Sequence, residues 1–376
     1  MTLSRFLAAL GLAALTASAS PAAAGTDEYG PTEFTPKIAR AAERGLKWLA
    51  AKQLESGAWE ADVGYKLQQD YQVRSPHSPH VGVTALAGMA FLAGGHLPGR
   101  GPYGDNLERA VHFLLTSVSD LGFANSNHTR MYSHAFATLF LAEVYGTLAL
   151  PELRTKLQHT VDLIVASQND RGSWRYEPFV AESDMSITVC QLMALRAARN
   201  VGIRVANSTI ERAVAYVKAS EVKPADMSRS MFASNYYFHE PGCFRYQVED
   251  DERSSFALTA AGIVSLYHAG HYNVRELGRS LYVLRETRAR VSHHFRGHFF
   301  YWYGHYYAVQ AAFLTTGDQF PGYWEEYFGE VSRELLQAQK SDGSWPNPVG
   351  PGPTFGTAVA CIVLQVPKRY LPILQR

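Results

Sequence analysis

The chain has 376 residues, of which 47% are hydrophobic and 18% charged, an ordinary globular composition that is long enough for one large domain or two. Its formal net charge of +1 excludes a strongly basic surface, so nothing in the composition indicates nucleic acid or an anionic membrane as a partner. The three cysteines, Cys190, Cys243 and Cys361, are odd in number and widely spaced, which is not the pattern of a disulfide framework.

The N-terminus has the pattern of a targeting segment. Arg5 precedes an apolar run over residues 6–15, and Ala22-Ala23-Ala24 offers a small-residue cleavage site. The run is too short to span a bilayer, so no transmembrane segment is predicted. We therefore expect a signal peptide over residues 1–24, a polar leader over 25–36 and a single mature domain over 37–376, secreted or periplasmic.

From residue 37 onward, amphipathic stretches alternate with stretches that are apolar nearly all round. Ile38, Ala42, Leu46 and Leu49 form one apolar stripe of the first amphipathic stretch, which is typical of a helix half in water. The apolar stretches are rich in Ala and Gly, which predicts helices buried on every side; they cover residues 80–93, 132–145, 184–198, 254–268, 303–315 and 354–363.

Six such pairs, at a spacing of about 50 residues, predict a repeat architecture. An open solenoid needs polar capping repeats at its ends, and the last pair is as apolar as those in the middle. The expected fold is therefore all-α: a closed (α/α)6 toroid whose inner helices surround a central cavity.

A short pattern, Gln-x-x-x-Gly-x-Trp, occurs after three of the amphipathic stretches. The copies are Gln53–Gly57–Trp59, Gln168–Gly172–Trp174 and Gln339–Gly343–Trp345. The glutamine can bond carbonyls left open at a helix end, the glycine can take a positive φ, and the tryptophan can pack over the junction. We interpret the motif as architectural, with degenerate copies at Gly122–Phe123 and Gly242–Phe244.

The motif, followed by an inner helix that opens with a Thr-Ala-like pair, resembles the prenyltransferase/squalene-cyclase repeat superfamily of α/α toroids. That resemblance implies an isoprenoid ligand in the cavity. It also implies the Asp-x-Asp-Asp-Thr-Ala motif of class II terpene cyclases, whose middle acid protonates the substrate. The matching run here begins Asp184-Met185-Ser186, so Ser186 replaces the protonating acid. Asp184 and Cys190 also lack the spacing of a prenyltransferase zinc site, and no metal or cofactor is predicted.

The threonine of each inner helix serves as a marker of helical phase. Four residues before it stand His80, His134, Asp184 and Ser255 in successive helices, which predicts a polar cluster at one mouth of the toroid. We take Asp184, His134 and His80 as candidate catalytic residues for acid–base work. The alternative is that these side chains only cap their helices.

Aromatic residues concentrate after Asn235 and could line the cavity, stabilising a carbocation or stacking on sugar rings. The alternative is dense core packing, and for Asp251 a solvated loop. The predicted substrate-binding residues are Tyr132, Ser186, Tyr236, Tyr237, Phe244, Asp251, Trp302, Tyr303, His305 and Tyr306.

The sequence is compatible with three functions. One is an exported terpene cyclase- or prenyltransferase-like protein that binds or transforms an isoprenoid in the cavity. Another is a secreted carbohydrate-active enzyme or binder on the same frame, and the third is a non-catalytic interaction protein. The expected ligand is a small apolar or sugar-like molecule, and the sequence does not indicate an oligomeric state.

Overall fold

The computed structural model describes residues 34–67, 70–224, 240–249, 253–271, 274–292, 300–315 and 320–374. Within them the chain forms twelve helices and one hairpin. In chain order the elements are α1 (Pro36–Lys52), β1 (Glu60–Leu67), β2 (Asp70–Pro79), α2 (Val81–Ala93), α3 (Gly104–Thr116), α4 (Arg130–Val144), α5 (Pro151–Ala166), α6 (Met185–Asn200), α7 (Asn207–Ser220), α8 (Phe256–His268), α9 (Val274–Ser292), α10 (Tyr301–Leu314), α11 (Tyr323–Ala338) and α12 (Pro353–Gln365).

The even-numbered helices form an inner ring and the odd-numbered helices an outer one. Each inner helix contacts the next, and α12 returns to contact α2, which closes the ring; α1 packs outside this junction, against α12. All thirteen residues of α2 are buried, whereas α1 buries one stripe, which includes Ile38, Leu46 and Leu49, and keeps Arg40 exposed. The prediction of an (α/α)6 toroid with amphipathic outer and apolar inner helices is confirmed.

The repeated motif joins neighbouring outer helices. The amide of each motif glutamine donates to the carbonyl of its own motif glycine and to a carbonyl in the next outer helix. These second acceptors are Asn106 for Gln53 (2.8 Å), Thr209 for Gln168 (2.9 Å) and Ala41 for Gln339 (2.8 Å). The bond from Gln339 to Ala41 joins the last outer helix to the first, so the motif also closes the ring.

The tryptophan and the glycine of the motif fix the same junction from the inside. Each indole Nε1 donates to the carbonyl ten residues earlier; for Trp174 the acceptor is Ile164, at 2.8 Å. Gly172 has φ +81°, and a Cβ placed on it would lie 2.4 Å from the Arg212 carbonyl oxygen of α7. A side chain at that position would push the two outer helices apart, which explains why the motif needs glycine.

The inner helices all begin at one end of the ring, which we call the mouth. Backbone bonds join the segments that precede them: Met131 N donates to Tyr176 O, and Met185 N to Tyr246 O. The antiparallel hairpin β1–β2 was not predicted; it lies at the mouth, where Asp62 N donates to Pro351 O before α12.

At the opposite end of the ring, short 3-10 turns follow α12, and Ile373 N donates to Glu143 Oε1 near the end of α4. None of the described helices combines the length and apolar character that crossing a membrane requires. Residues 1–33 lie outside the described residues, so the signal peptide, most of the leader and the domain boundaries stay predictions.

Candidate functional site

Asp184 is the N-cap of α6 and is completely buried at the mouth. Its Oδ1 atom accepts from Ser186 N (2.8 Å), Ile187 N (3.1 Å) and Ser186 Oγ (2.5 Å). Its Oδ2 atom has no donor within hydrogen-bond distance in the described residues. The hydroxyl groups of Tyr176 and Tyr246 nevertheless lie near enough to the carboxyl group to interact with it, and the nearest cation is Arg175, with Nη1 at 3.9 Å. A buried carboxyl oxygen without a partner is costly and is therefore a marker for a ligand or a catalytic role.

A line of hydroxyl groups connects Asp184 to the inner wall. Because Ser186 donates its proton to Asp184, its Oγ atom accepts from the hydroxyl group of Tyr132, to which it is hydrogen-bonded. Tyr303 of α10 donates to Ser186 O at 3.2 Å. Burial and then the charge of Asp184 raise the pKa of Tyr132 well above its ordinary value, so its hydroxyl stays protonated at neutral pH.

Two further tyrosines lie on the other side of Asp184. The hydroxyl groups of Tyr176 and Tyr246 are 2.5 Å apart. Burial and the charge of Asp184 raise the pKa of Tyr176 to about 12 and raise that of Tyr246 as well. The list of site residues predicted from sequence missed Tyr176 and Arg175; the available signal was their position between the motif Trp174 and Asp184.

Aromatic side chains meet across the axis of the ring just below this level. Helices α4 and α10 are opposite in the inner ring, yet the ring centroids of Tyr132 and Tyr303 are 6.2 Å apart and those of Phe136 and Tyr306 are 5.6 Å apart. Tyr306 is buried, whereas Tyr132, Phe136 and Tyr303 are half-buried. Aromatic side chains of α4 and α10 therefore meet across the axis of the ring.

The two candidate histidines are bonded within the wall. His80 is the N-cap of α2, where its Nδ1 accepts from Val83 N at 3.2 Å. His134 lies one turn inside α4; its Nδ1 accepts from Ala124 N (3.1 Å), and its Nε2 is 3.1 Å from Thr160 O. Burial lowers the pKa of both to about 4, so both are neutral at pH 7. We interpret both histidines as structural; His80, Asp184 and Ser255 each cap the N-terminus of their helix.

Three other predicted binding residues contact elements other than the Asp184 loop. Phe244 takes the place of a motif tryptophan and packs on Gly262 of α8. Trp302 Nε1 donates to Pro346 O (3.3 Å), and His305 Nδ1 is 2.6 Å from the Tyr327 hydroxyl of the outer helix α11. The predicted residues Tyr236, Tyr237 and Asp251 lie outside the described residues.

The described residues contain no cluster of three His, Cys, Asp or Glu side chains that could hold a metal ion. The groups that the mouth does offer are a carboxyl oxygen, tyrosine hydroxyl groups and arginines. This set suits hydrogen bonding and proton transfer on a polar ligand.

No family model matches the chain, and no curated protein matches it. Solved structures do match in fold. The GH76A α-1,6-mannanase of Salegentibacter sp. HEL1_6 is 9% identical, with a TM-score of 0.61 over 89% of this chain and 99% of that one. The cellobiose 2-epimerase of Spirochaeta thermophila is 13% identical (TM-score 0.59, 90% and 98% covered).

The type II terpene cyclase MstE of Scytonema is 11% identical, with a TM-score of 0.54 over 89% of this chain and 98% of that one. The chain is therefore an (α/α)6 toroid, and the resemblance to α/α toroids noted in the sequence is confirmed for the fold. Identities this low do not carry a function from any of these proteins to this one.

Proposed function

We propose that the chain is an (α/α)6 toroid enzyme that binds a hydroxylated, sugar-like ligand at the mouth and transfers a proton through Tyr132, Ser186 and Asp184. The observation that carries this proposal is the completely buried Asp184, with Oδ1 bonded to three donors and Oδ2 without a partner. A ligand hydroxyl group donating to Oδ2 would satisfy the one open acceptor of that carboxyl group.

The direction of the hydrogen bonds favours removal of a proton from the ligand. Ser186 already donates to Asp184, and Ser186 Oγ accepts from Tyr132. When Tyr132 takes a proton from the ligand, its own proton passes to Ser186, whose proton passes to Asp184. Tyr132 stays neutral throughout, which matters because burial strongly disfavours its phenolate form.

The groups around Asp184 also suit a sugar. Tyr132, Tyr176, Tyr246 and Tyr303 present hydroxyl groups beside ring faces, the combination that holds a ligand with both polar and apolar surfaces. Phe179 is 67% exposed in the loop before α6, where it can stack on a sugar ring. Two of the similar toroids, the mannanase and the cellobiose epimerase, are named for sugars.

Calorimetric titration with neutral and acidic oligosaccharides, followed by assays of turnover, tests this proposal. We expect Asp184→Asn to weaken binding at least about tenfold, the effect of losing one hydrogen bond to a charged group. Tyr132→Phe should retain binding and lose turnover. The control Tyr282→Phe, on the exposed face of α9, should change neither. Failure of every oligosaccharide to bind would overturn the proposal.

A second candidate is an isoprenoid ligand, favoured by the half-buried ring faces of Tyr132, Phe136 and Tyr303 on inner helices. Such faces stabilise positive charge through the ring quadrupole. The terpene cyclase in complex with geranylgeranyl dihydroxybenzoate shares the fold. Ser186 in the place of the protonating acid and the contacts across the axis weigh against it. Organic extraction of the purified protein with mass spectrometry, using Asp184→Ala as the control, would detect an isoprenoid held in the mouth.

We also propose that the chain is exported, on the pattern of residues 1–24. Fractionation of cells that express the full chain, beside a variant without residues 2–24, checks this. Equal retention of both chains in the cytoplasm would contradict it.

A further inference from the structure

Arginine and tyrosine side chains alternate along one side of the mouth. The Arg74 guanidinium carbon is 4.9 Å from the ring centroid of Tyr65. The Arg130 guanidinium carbon lies 5.9 Å from the centroid of Tyr65 and 5.8 Å from that of Tyr176, and that of Arg175 is 5.0 Å from the centroid of Tyr176. We call these five residues the arginine arc; it runs from the β1–β2 hairpin to the loop before α6, where Arg175 meets Asp184.

Packing against a ring orients a guanidinium group and leaves those in-plane N–H groups that have no other acceptor available to an anion. On Arg175, Nη1 also donates to Ser183 O at 3.0 Å, and the anion would use the remaining N–H groups. The carboxylates that the structure places against the arc do not match its charge. Arg130 Nε is 3.2 Å from Glu177 Oε1, whose side chain is 54% exposed, and Arg175 is 3.9 Å from the buried Asp184. Within the described residues, the ion pairs give Arg130 and Arg175 one carboxylate each and give Arg74 none.

The backbone at the mouth is strained where it positions the arc. Asn127, His128 and Arg130 have φ values of +53°, +65° and +57° just before or at the start of α4, although none of them is glycine. Phe179, in the loop that carries Arg175, has φ +61°. Side chains other than glycine rarely adopt this conformation, and it persists mainly where function or the surrounding structure requires it.

From these observations we propose that the arginine arc binds the carboxylate of an acidic sugar, a uronate, while a hydroxyl group of the same sugar donates to Asp184 Oδ2. This inference rests on the proposed function and names its substrate class. The two recognition points are close together, since Arg175 Nη1 is 3.9 Å from Asp184 Oδ2, so one pyranose ring that carries both groups can reach them. Arginine holds a carboxylate with paired N–H donors, which a neutral sugar does not use.

The test is calorimetric titration of the full chain with trigalacturonate and with mannotriose, a neutral probe of the same length. We expect trigalacturonate to bind at least about tenfold more tightly, and its affinity to fall as salt rises, because its charge is screened. Arg175→Gln should lose at least about tenfold of the trigalacturonate affinity and little of the mannotriose affinity.

Two further variants distinguish a loss of trigalacturonate binding from a loss of folded structure. Arg74 is exposed on the hairpin, so Arg74→Gln should leave the fold intact and still weaken trigalacturonate binding severalfold. Arg333→Gln removes the same charge from the exposed face of α11 and should change nothing. Circular dichroism melting of each variant identifies any that has lost structure.

The outcomes separate the two proposals. Equal binding of both probes that is lost in Asp184→Asn and kept in Arg175→Gln would overturn the acidic-sugar inference and leave the proposed function standing. Binding of neither probe by the wild-type chain would overturn the acidic-sugar inference, and failure of every other oligosaccharide as well would overturn the proposed function. Tighter binding of trigalacturonate that Arg333→Gln weakens as much as Arg175→Gln would assign the effect to overall charge and overturn the inference.

Discussion

Two glycines with the same backbone conformation allow the packing role of the repeated motif to be measured. Gly172 of the motif has φ +81°, and a Cβ placed on it would lie 2.4 Å from the Arg212 carbonyl oxygen. Gly202, at the turn after α6, has φ +82°, and a Cβ placed there would have no heavy atom within 4 Å. Both Gly172→Ala and Gly202→Ala place an alanine in the left-handed conformation, but only Gly172→Ala adds a steric contact with α7.

The shared cost is the left-handed conformation of an alanine, about 1–2 kcal/mol. Relief of the contact at residue 172 must move the loop away from α7, which adds roughly 1–3 kcal/mol for overpacking. The movement also lengthens the bond from Gln168 to Thr209 O, now 2.9 Å, worth about 1 kcal/mol. We expect Gly172→Ala to cost about 2–4 kcal/mol more than Gly202→Ala.

Urea unfolding followed by far-ultraviolet circular dichroism measures both variants against the wild type. If the unfolding is not two-state, the comparison uses the shift in midpoint, with Gly172→Ala lower than Gly202→Ala. Equal losses in the two variants would refute the steric explanation of the motif glycine and leave only its φ preference.

Three further predictions concern stability. Burial raises the pKa of Glu143 from 4.5 to about 8, so the contribution of Glu143 to stability should fall as pH rises from about 4.5 to 8, by up to about 5 kcal/mol at about 1.4 kcal/mol per unit; the free energy of unfolding of the wild type minus that of Glu143→Gln should decrease across this range. Burial lowers the pKa of His80 and His134 from 6.5 to about 4, so the contribution of these two residues to stability should fall as pH drops from about 6.5 to 4; the free energy of unfolding of the wild type minus that of His134→Gln should decrease over the same range, and a constant difference would contradict this. Gln339→Ala removes the bonds to Ala41 O and Gly343 O and should cost about 1–3 kcal/mol by urea unfolding, whereas a loss near zero would show that ring closure does not depend on this side chain.

The fold could be predicted from the hydrophobic periodicity of the sequence because every repeat buries the same helical faces. The all-round apolar stretches became the inner ring, and the spacing of Gln168, Gly172 and Trp174 matched a junction with a definite hydrogen-bond pattern. The hairpin over residues 60–79 left no comparable signal, since its register contains irregularities near Val63 and its strands end in a proline segment. Local sequence could not indicate that the hairpin would lie at the mouth.

The candidate site was only partly predictable, because helical phase does not fix where a helix begins. Thr138 and Thr188 each bond the carbonyl four residues earlier, as the shared phase implies. However, α4 begins at Arg130, so His134 lies inside it, whereas Asp184 caps α6. The contacts across the axis and the arc at Arg130 depend on tertiary distances and positive φ values, which no local pattern encodes.

The measurement that most directly tests the central claim is a crystal structure of the chain with a bound oligosaccharide, with trigalacturonate as the first choice. A sugar at the mouth, with one hydroxyl oxygen about 3 Å from Asp184 Oδ2 and another group near the Tyr132 hydroxyl, is the predicted result. A sugar bound elsewhere on the toroid, with Asp184 Oδ2 still lacking a partner, would contradict the assignment of the mouth as the functional site.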